Sequence, residues 1–221
     1  MRLLIKFPTR GRPEKFLSTL ERYVRLCRDR EMTRILVSID HDDASMNDPQ
    51  TIRAVEGYGH ATVVVGTSRS KIEAVNRDME RAPEWDVVLL ASDDMIPQVE
   101  GYDAVIRDGM TTHFPDTDGV LWFNDGFTEK KLNTLCILGR KYYERFHYIY
   151  YPEYRSTYCD NEFTRVANLL GRQKYFDQVI VKHEHPDWGY GERDQIHTQN
   201  LADLKHDKTI FKTRKAANFG L

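Results

Sequence analysis

The sequence predicts an α/β fold with a parallel sheet covered by helices on both faces. Short apolar segments alternate with segments of helical periodicity, and each apolar segment has at most one polar residue, such as Lys6 in the first, instead of regular alternation. Continuous apolar strands are typical of parallel sheets that are buried on both faces. Four such strands are predicted in the first half of the chain, at Leu3–Phe7, Ile35–Ile39, Ala61–Val65 and Val87–Ala91.

Three helices are predicted between these strands. Pro13 suits the first position of a helix, where its missing N–H costs nothing, and apolar residues recur at helical spacing from there to Cys27. A short helix is predicted at Pro49–Glu56. Ser70 is a typical N-cap residue, and it predicts a third helix that runs to about Arg81.

The second half of the chain is less regular but continues the alternation. Helices are predicted at Gly101–Phe114 and Asp160–Gly171, and strands at Val120–Phe123, Leu132–Leu138 and Val179–Val181. The segment that follows is polar and holds too few apolar side chains to build a core of its own. We therefore expect residues 1–188 to form one domain and residues 189–221 to form a helical arm packed on it.

Composition narrows the class of protein. The chain has 221 residues and a formal net charge of -2, which gives no support for electrostatic capture of nucleic acid. Its three scattered cysteines form no zinc-binding pair and suit a reducing compartment. No stretch approaches the roughly 20 apolar residues that span a bilayer. We therefore expect a cytoplasmic protein without a membrane span.

Polar clusters follow three of the first four strands. They are Thr9–Arg10, Asp40–Asp43 and Asp93–Asp94. In an open α/β sheet, ligands bind beyond the carboxyl ends of the strands, so these clusters are expected to share one cleft. A carboxylate pair suits Mg²⁺ or Mn²⁺, and a late HEH sequence offers imidazole ligands, which Mn²⁺ accepts more readily than Mg²⁺ does.

Six segments in order give the sequence a resemblance to a known family. They are FPTRGRPEKFLSTL, VSIDHDD, SRSKIEAVNRDM, VVLLASDDMIP, CDNEFTRVANLLG and VKHEHP. The chain resembles the nucleotide-sugar-dependent glycosyltransferases of the GT-A fold, and is most similar to the family 2 type. This resemblance implies a Rossmann-like, mixed but mostly parallel central sheet flanked by helices. It also implies a nucleotide-binding half at 1–97 and an acceptor half at 98–188.

The resemblance implies a donor site. Seven residues match positions that meet the nucleotide sugar in this family: Thr9, Arg10, Asp40, Arg69, Lys71, Asn76 and Asp93. By this match Thr9 meets the base or ribose, Asp40 hydrogen-bonds the base, usually uracil, and Asp93 binds the ribose. Lys71, with Arg69 as its rival, meets the base or the diphosphate. The implied donor is therefore a UDP-sugar.

The resemblance also implies a metal ion and a catalytic base. Asp94, in the segment SDD, matches the metal-binding carboxylate of the family's DXD motif, and His183 or His185 matches the late ligand. Asp160 matches the general base of inverting members, although Cys159 replaces the glutamate that precedes it there. One such base removes the acceptor proton in a single displacement. The cofactor implied is Mn²⁺ or Mg²⁺, and the acceptor is a glycan or a modified DNA base.

Structural interpretations stand beside these functional ones. The pair Asp93–Asp94 could cap a turn, Asp160 could be a helix N-cap residue, and either histidine could be a satisfied structural side chain. Two other functions also remain open. A nucleotidyltransferase would share the sheet, but the first loop, TRGRP, is poor in glycine. A module that binds nucleotide sugars without turnover would be consistent with Cys159.

Overall fold

The structure is a computed structural model that describes residues 1–184 and 195–221, with the side chains of 195–202 left out. The strands are β1 Leu3–Pro8, β2 Thr33–Asp40, β3 Ala61–Gly66, β4 Val87–Leu90, β5 Met95–Pro97, β6 Val120–Phe123, β7 Ile137–Gly139, β8 Gln173–Phe176 and β9 Val181–His183. The helices are α1 Pro13–Leu26, α2 Pro49–Glu56, α3 Lys71–Asn76, α4 Tyr102–His113, α5 Arg140–Glu144, α6 Cys159–Leu169 and α7 Gln195–Ala216.

Seven strands form the central sheet, in the order β3-β2-β1-β4-β7-β6-β8. β1 pairs in parallel with β2 and β4, and β2 pairs in parallel with β3. Only β7 runs against its two neighbours in this sheet, β4 and β6. The predicted mixed, mostly parallel sheet is therefore confirmed. A separate two-stranded ladder joins β5 to β9 in antiparallel fashion.

The core has one layer on each face of the sheet, as the alternation along β1 shows. Ile5 and Phe7 point to the layer formed with α1, α2 and α4, where Phe7 meets Phe16 edge-on at a centroid distance of 4.9 Å. Leu4 points to the other layer, formed with α3, α6 and an aromatic segment. A strand flanked on both sides in this way is apolar at most positions, which explains the apolar runs. The exception in β1 is Lys6, whose buried ammonium donates to the hydroxyl of Ser38 in β2.

Several element boundaries differ from the sequence prediction. The predicted helix from Ser70 to about Arg81 ends at Asn76, because Asp78 takes a left-handed conformation (φ 67°) before a single 3-10 turn. The strand predicted at Leu132–Leu138 is reduced to β7, and the strand predicted at Val179–Val181 begins only at Val181. β5, β8 and α5 were not predicted at all.

The final helix, α7, packs on the start of α6. Phe211 lies against Tyr158 at a centroid distance of 5.4 Å, and Arg214 forms an ion pair with Glu162. Within residues 1–184 and 195–221, no helix combines the length and the apolar character needed to cross a membrane.

Candidate functional site

The carboxyl ends of the first four strands meet at one edge of the sheet, which we call the carboxyl edge. β3, β2, β1 and β4 are neighbours in the sheet and run in the same direction. Asp40 is the last residue of β2 and pairs with Gly66, the last residue of β3. Thr9 follows β1, where its N–H donates to the carbonyl of Ser38 at 3.0 Å. The three polar clusters therefore lie at a common edge.

Asp40 is held from two sides by arginines. Arg10 Nη1 donates to Asp40 Oδ2 at 3.0 Å, and Arg77 Nη1 lies 3.4 Å from Asp40 Oδ1. The side chain of Asp40 is only 6% exposed, whereas that of Arg10 is 47% exposed. Arg77 therefore fixes the buried side of the carboxylate, and Arg10 covers its open side.

Arg77 is a site residue that the sequence analysis missed. Its Nη2 donates to the carbonyl of Ile39 at 2.5 Å, and its Nε lies 3.3 Å from Asp78 Oδ2. The guanidinium fills the space beside Gly66, where a Cβ atom would lie 2.2 Å from Arg77 Nη1. The predicted helix to Arg81 would have placed Arg77 on a helical surface. The actual helix end at Asn76 turns it under the sheet edge instead.

A second set of ion pairs fastens the loops after β1 and β2 to each other. Arg10 makes a bidentate pair with Asp42, both bonds measuring 2.8 Å. These bonds to Asp42, and less so the one to Asp40, outweigh partial burial and raise the pKa of Arg10. The N–H of Gly11 donates to Asp43 Oδ2 at 2.6 Å. Bidentate arginine–carboxylate pairs are geometrically specific, so they set the shape of this part of the cleft.

Asp93 has two positive partners at the start of α1. Arg12 Nη1 donates to the two carboxylate oxygens of Asp93 at 3.1 and 3.3 Å, and Lys15 Nζ lies 3.7 Å away. Burial raises the pKa of Asp93, and the neighbouring charge of Asp94 adds to this, against the opposing effect of Arg12. The hydroxyl of Thr19 donates to the main-chain carbonyl of Asp93 at 2.9 Å. Asp93 is thus fixed by α1.

Asp94 and His183 lie together at the carboxyl edge. His183 Nε2 is 3.6 Å from Asp94 Oδ2, and the hydroxyl of Ser92 also donates to the Asp94 carboxylate. The pairing of Met95 with His183 in the β5–β9 ladder explains this proximity. Burial opposes ionisation of Asp94, but His183, Lys71 and Ser92 together hold its pKa well below the ordinary value.

These two side chains offer one oxygen donor and one nitrogen donor, a set that fits Mn²⁺ better than Mg²⁺. No group of three histidine, cysteine or acidic side chains that could hold a metal ion occurs within residues 1–184 and 195–221. His185, the alternative late ligand, lies outside the described residues.

Asp160 lies in the first turn of α6. The charges of Lys71 and His183, which act on Asp94, also act on Asp160. Its Oδ1 accepts a hydrogen bond from the N–H of Asn161 at 2.8 Å. Burial raises the pKa of Asp160, against the opposing effects of that N–H, Lys71 and His183. The residue before it, Cys159, is 7% exposed and packs in the core. At this helix start Asp160 is thus less buried as a residue than Cys159 or Glu162.

The three remaining predicted donor residues differ in their surroundings. Lys71 is exposed, and within the described part of the chain it has no hydrogen-bond or ion-pair partner, although its charge reaches Asp94 and Asp160. Arg69 is exposed and paired with Glu73 at 3.0 Å. The amide of Asn76 accepts from the N–H groups of residues 149 and 150 and donates to the carbonyl of 150. Asn76 therefore holds that segment against α3.

No family model and no curated protein matches this sequence. Solved structures do match its fold. PcManGT, a mannosyltransferase from Pyrobaculum calidifontis in complex with GDP-Man and Mn²⁺, aligns with a TM-score of 0.63 at 14% identity over 98% of this chain and 73% of that one. S. aureus TarS 1–349 in complex with UDP-GlcNAc aligns with a TM-score of 0.68 at 15% identity, over 90% of this chain and 61% of that one.

A UDP complex of the same TarS fragment aligns with a TM-score of 0.64 at 16% identity. It covers 100% of this chain and 72% of that one, so the matched chains are longer than this protein. At this level of identity the likeness establishes the fold. The predicted GT-A architecture is thereby confirmed.

Proposed function

We propose that this protein is a metal-dependent, inverting glycosyltransferase that moves a sugar from a UDP-sugar donor to an acceptor hydroxyl. The observation that supports it most is the contact of Asp94 with His183 at the carboxyl edge, where Nε2 lies 3.6 Å from Oδ2. The charge of His183 also acts on Asp160 and lowers its pKa. Two proteins that share the fold bind nucleotide sugars, GDP-Man with Mn²⁺ in one and UDP-GlcNAc in the other. The acceptor we favour is a glycan, because the net charge of -2 gives no support for DNA.

The donor would lie along the carboxyl edge. Asp40, held in place by Arg77, offers its carboxylate to an N–H of the base. Thr9 and Asp93 would meet the base and the ribose, and Lys71 would meet the diphosphate. Residues 1–97 would thus supply the nucleotide half of a catalytic domain at 1–188, and 98–188 would supply the acceptor half. Arg10 would have to exchange its contact with Asp40 for one with the nucleotide.

Asp94 and His183 would hold a divalent ion, with His185 as the competing late ligand. When bound, such an ion neutralises the charge that develops on the diphosphate leaving group. Of the two cations proposed, Mg²⁺ and Mn²⁺, the imidazole of His183 favours Mn²⁺.

The transfer itself would be a single displacement. The acceptor oxygen attacks the anomeric carbon. The bond between the anomeric carbon and the diphosphate oxygen breaks, and the nucleoside diphosphate leaves. Asp160 takes the proton of the acceptor hydroxyl. Because the attack comes from the face opposite the leaving group, the configuration of the sugar inverts. The positive charge of Lys71 acts on both Asp94 and Asp160, and it would also stabilise the negative charge that moves to the leaving group.

The test is nucleotide binding, followed by turnover. We expect UDP to bind in calorimetry with Mn²⁺ and to bind at least about tenfold more weakly in EDTA. GDP and CDP in the same experiment identify the base, and release of UDP from UDP-sugars identifies the sugar. If no nucleoside diphosphate binds in either condition, the proposal is wrong. Pyrophosphate release from a nucleoside triphosphate and a sugar phosphate would indicate a nucleotidyltransferase. UDP-sugar binding without turnover would indicate a binding module.

Replacing Gly66 by alanine is expected to weaken nucleotide binding about tenfold, the effect of losing about one charge-assisted contact. The added Cβ would lie 2.2 Å from Arg77 Nη1, so the guanidinium must move away from Asp40. Arg77→Lys should have a similar effect, since one ammonium group replaces a guanidinium that contacts Ile39, Asp40 and Asp78. Calorimetry with the nucleotide that the wild type prefers measures this effect.

Gly57→Ala is the matched control, because a Cβ there meets only carbonyl oxygens of its own helix, at 3.2 and 3.5 Å. It should bind nucleotide as the wild type does. If Gly66→Ala and Arg77→Lys both bind nucleotide with wild-type affinity, Arg77 does not contribute to nucleotide binding.

A further inference from the structure

One carboxylate of α7 is completely buried, and it lies against the loop that leads into α6. Asp207 is 0% exposed. We propose that Asp207 is a positioning residue, which fixes the loop 155–157 and through it the orientation of Asp160. This inference rests on the proposed function, in which Asp160 is the base, and it assigns α7 a part in the reaction.

The contacts of Asp207 go to the main chain of three consecutive residues. Its Oδ1 accepts from the N–H of Arg155 at 3.0 Å, and its Oδ2 accepts from the N–H groups of Ser156 and Thr157 at 2.9 and 2.7 Å. The hydroxyl of Thr157 adds a fourth bond to Oδ2, at 3.2 Å. A carboxylate that receives successive main-chain N–H groups holds the path of that chain closely.

The loop needs an outside anchor because it ends in an unfavourable conformation. Tyr158, which immediately precedes α6, is left-handed (φ 61°) and makes no side-chain capping bond to the helix. A residue other than glycine is disfavoured there, and surrounding contacts must hold it. Asp160 is the second residue of α6. A shift of the loop would therefore reorient its carboxylate.

The same loop also touches the element that carries Lys71. The carbonyl of Arg155 accepts a hydrogen bond from the N–H of Ile72 at 3.2 Å, in the first turn of α3. One anchored segment thus sets the starts of two helices, one carrying the proposed base and the other carrying the proposed diphosphate contact. Misplacement by about 1 Å can cost as much as roughly 100-fold in rate, so the anchor need not touch substrate to affect turnover.

The experiment compares Asp207→Asn with Asp203→Asn. Asp203 lies one turn earlier on α7. Among the residues whose side chains the structure describes, it pairs with the exposed guanidinium of Arg155, at 3.3 Å, and not with the loop's main chain, so it matches the substitution. In Asp207→Asn an amide NH₂ replaces one acceptor oxygen, which leaves loop N–H groups unpaired. We expect kcat to fall about tenfold in Asp207→Asn, with the Kd for UDP and Mn²⁺ changed by less than about threefold. Asp203→Asn should match the wild type in both.

Two further measurements separate positioning from folding and from failure of the proposed function. Thr157→Val removes only the hydroxyl bond and should lower kcat by about threefold in a stably folded protein. Hydrogen exchange needs no substrate, and Asp207→Asn should speed exchange in residues 155–161 specifically. Equal kcat in the two aspartate variants, or unchanged exchange in 155–161, would overturn the positioning role. Absence of nucleotide binding in the wild type, with faster exchange in the variant, would overturn the proposed function and leave the anchor established.

Discussion

Asp160→Asn is expected to lower kcat by about 10²- to 10⁴-fold, the usual contribution of a general base. Asparagine keeps the shape of the side chain and an oxygen for the N–H of Asn161, so the start of α6 should be preserved. Asparagine lacks the basic oxygen that accepts the acceptor proton. Binding of UDP with Mn²⁺ should change little, because the carboxylates proposed to meet the nucleotide and the ion are intact.

The pH dependence gives an independent test of the same residue. The base must be ionised to work, and burial raises the pKa of Asp160 above its ordinary value. The rate of the wild type should therefore fall as the pH drops through that raised pKa, at a higher pH than for an ordinary aspartate. The residual rate of Asp160→Asn should lack this acid limb.

Asp116→Asn is the control for this substitution, since that carboxylate lies outside the proposed site. It is exposed, pairs with Lys141 and accepts a hydrogen bond from the N–H of Asp118 at 3.2 Å, which the asparagine oxygen can still accept. It should match the wild type in kcat and in pH profile. A kcat within about threefold of the wild type in Asp160→Asn would mean that another group takes the proton. The proposal of inversion, which depends on this base, would then be wrong.

Asp94→Asn is expected to abolish the part of nucleotide binding that depends on Mn²⁺. The amide can still accept from Ser92, but it is a much poorer ligand for a divalent cation than a carboxylate. The Kd for UDP in Mn²⁺ should rise at least about tenfold, to the value measured in EDTA. His183→Gln should act in the same direction, because it removes the imidazole nitrogen that lies 3.6 Å from Asp94.

Asp93→Asn is the neighbouring control and predicts a different pattern. Its carboxylate is bound by Arg12 and is proposed to meet the ribose instead of the ion. The affinity for UDP should fall by the same factor in Mn²⁺ and in EDTA. The ratio of the Kd in EDTA to the Kd in Mn²⁺ should therefore equal that of the wild type. If Asp94→Asn kept the wild-type ratio, Asp94 would not be a metal ligand.

Local sequence signals were enough to predict most elements of the first half. α2 begins at Pro49 and ends at Glu56 as predicted, because proline at the first position and glycine just past the end mark its limits. β8 was missed because this four-residue strand, QKYF, lies at the sheet edge, where its residues are half-buried or exposed and form no apolar run. β5 was missed because three residues ending in proline resemble a turn.

The candidate site was less accessible from sequence. The residue types and the family resemblance together suggested that Asp94 and a late histidine share an ion. The β5–β9 ladder that joins Asp94 to His183 has no periodic signal and was not predicted. The contacts of Arg77 arise because α3 ends before the left-handed residue Asp78. The contacts of Asp207 arise because α7 packs against the loop 155–157. Such roles arise from tertiary contacts between distant segments, which propensity and periodicity do not report.

The β5–β9 ladder has a consequence for the energetics of the whole chain. It brings Asp94 next to His183, which lies 89 positions later in a chain of 221 residues, so the unfolded polypeptide has no preformed site for the ion or the nucleotide. Ligands that bind only the native state stabilise it by mass action, by about 2.7 kcal/mol at a concentration 100 times Kd. Binding of the ion and the nucleotide at the carboxyl edge should therefore raise the melting temperature of the entire domain.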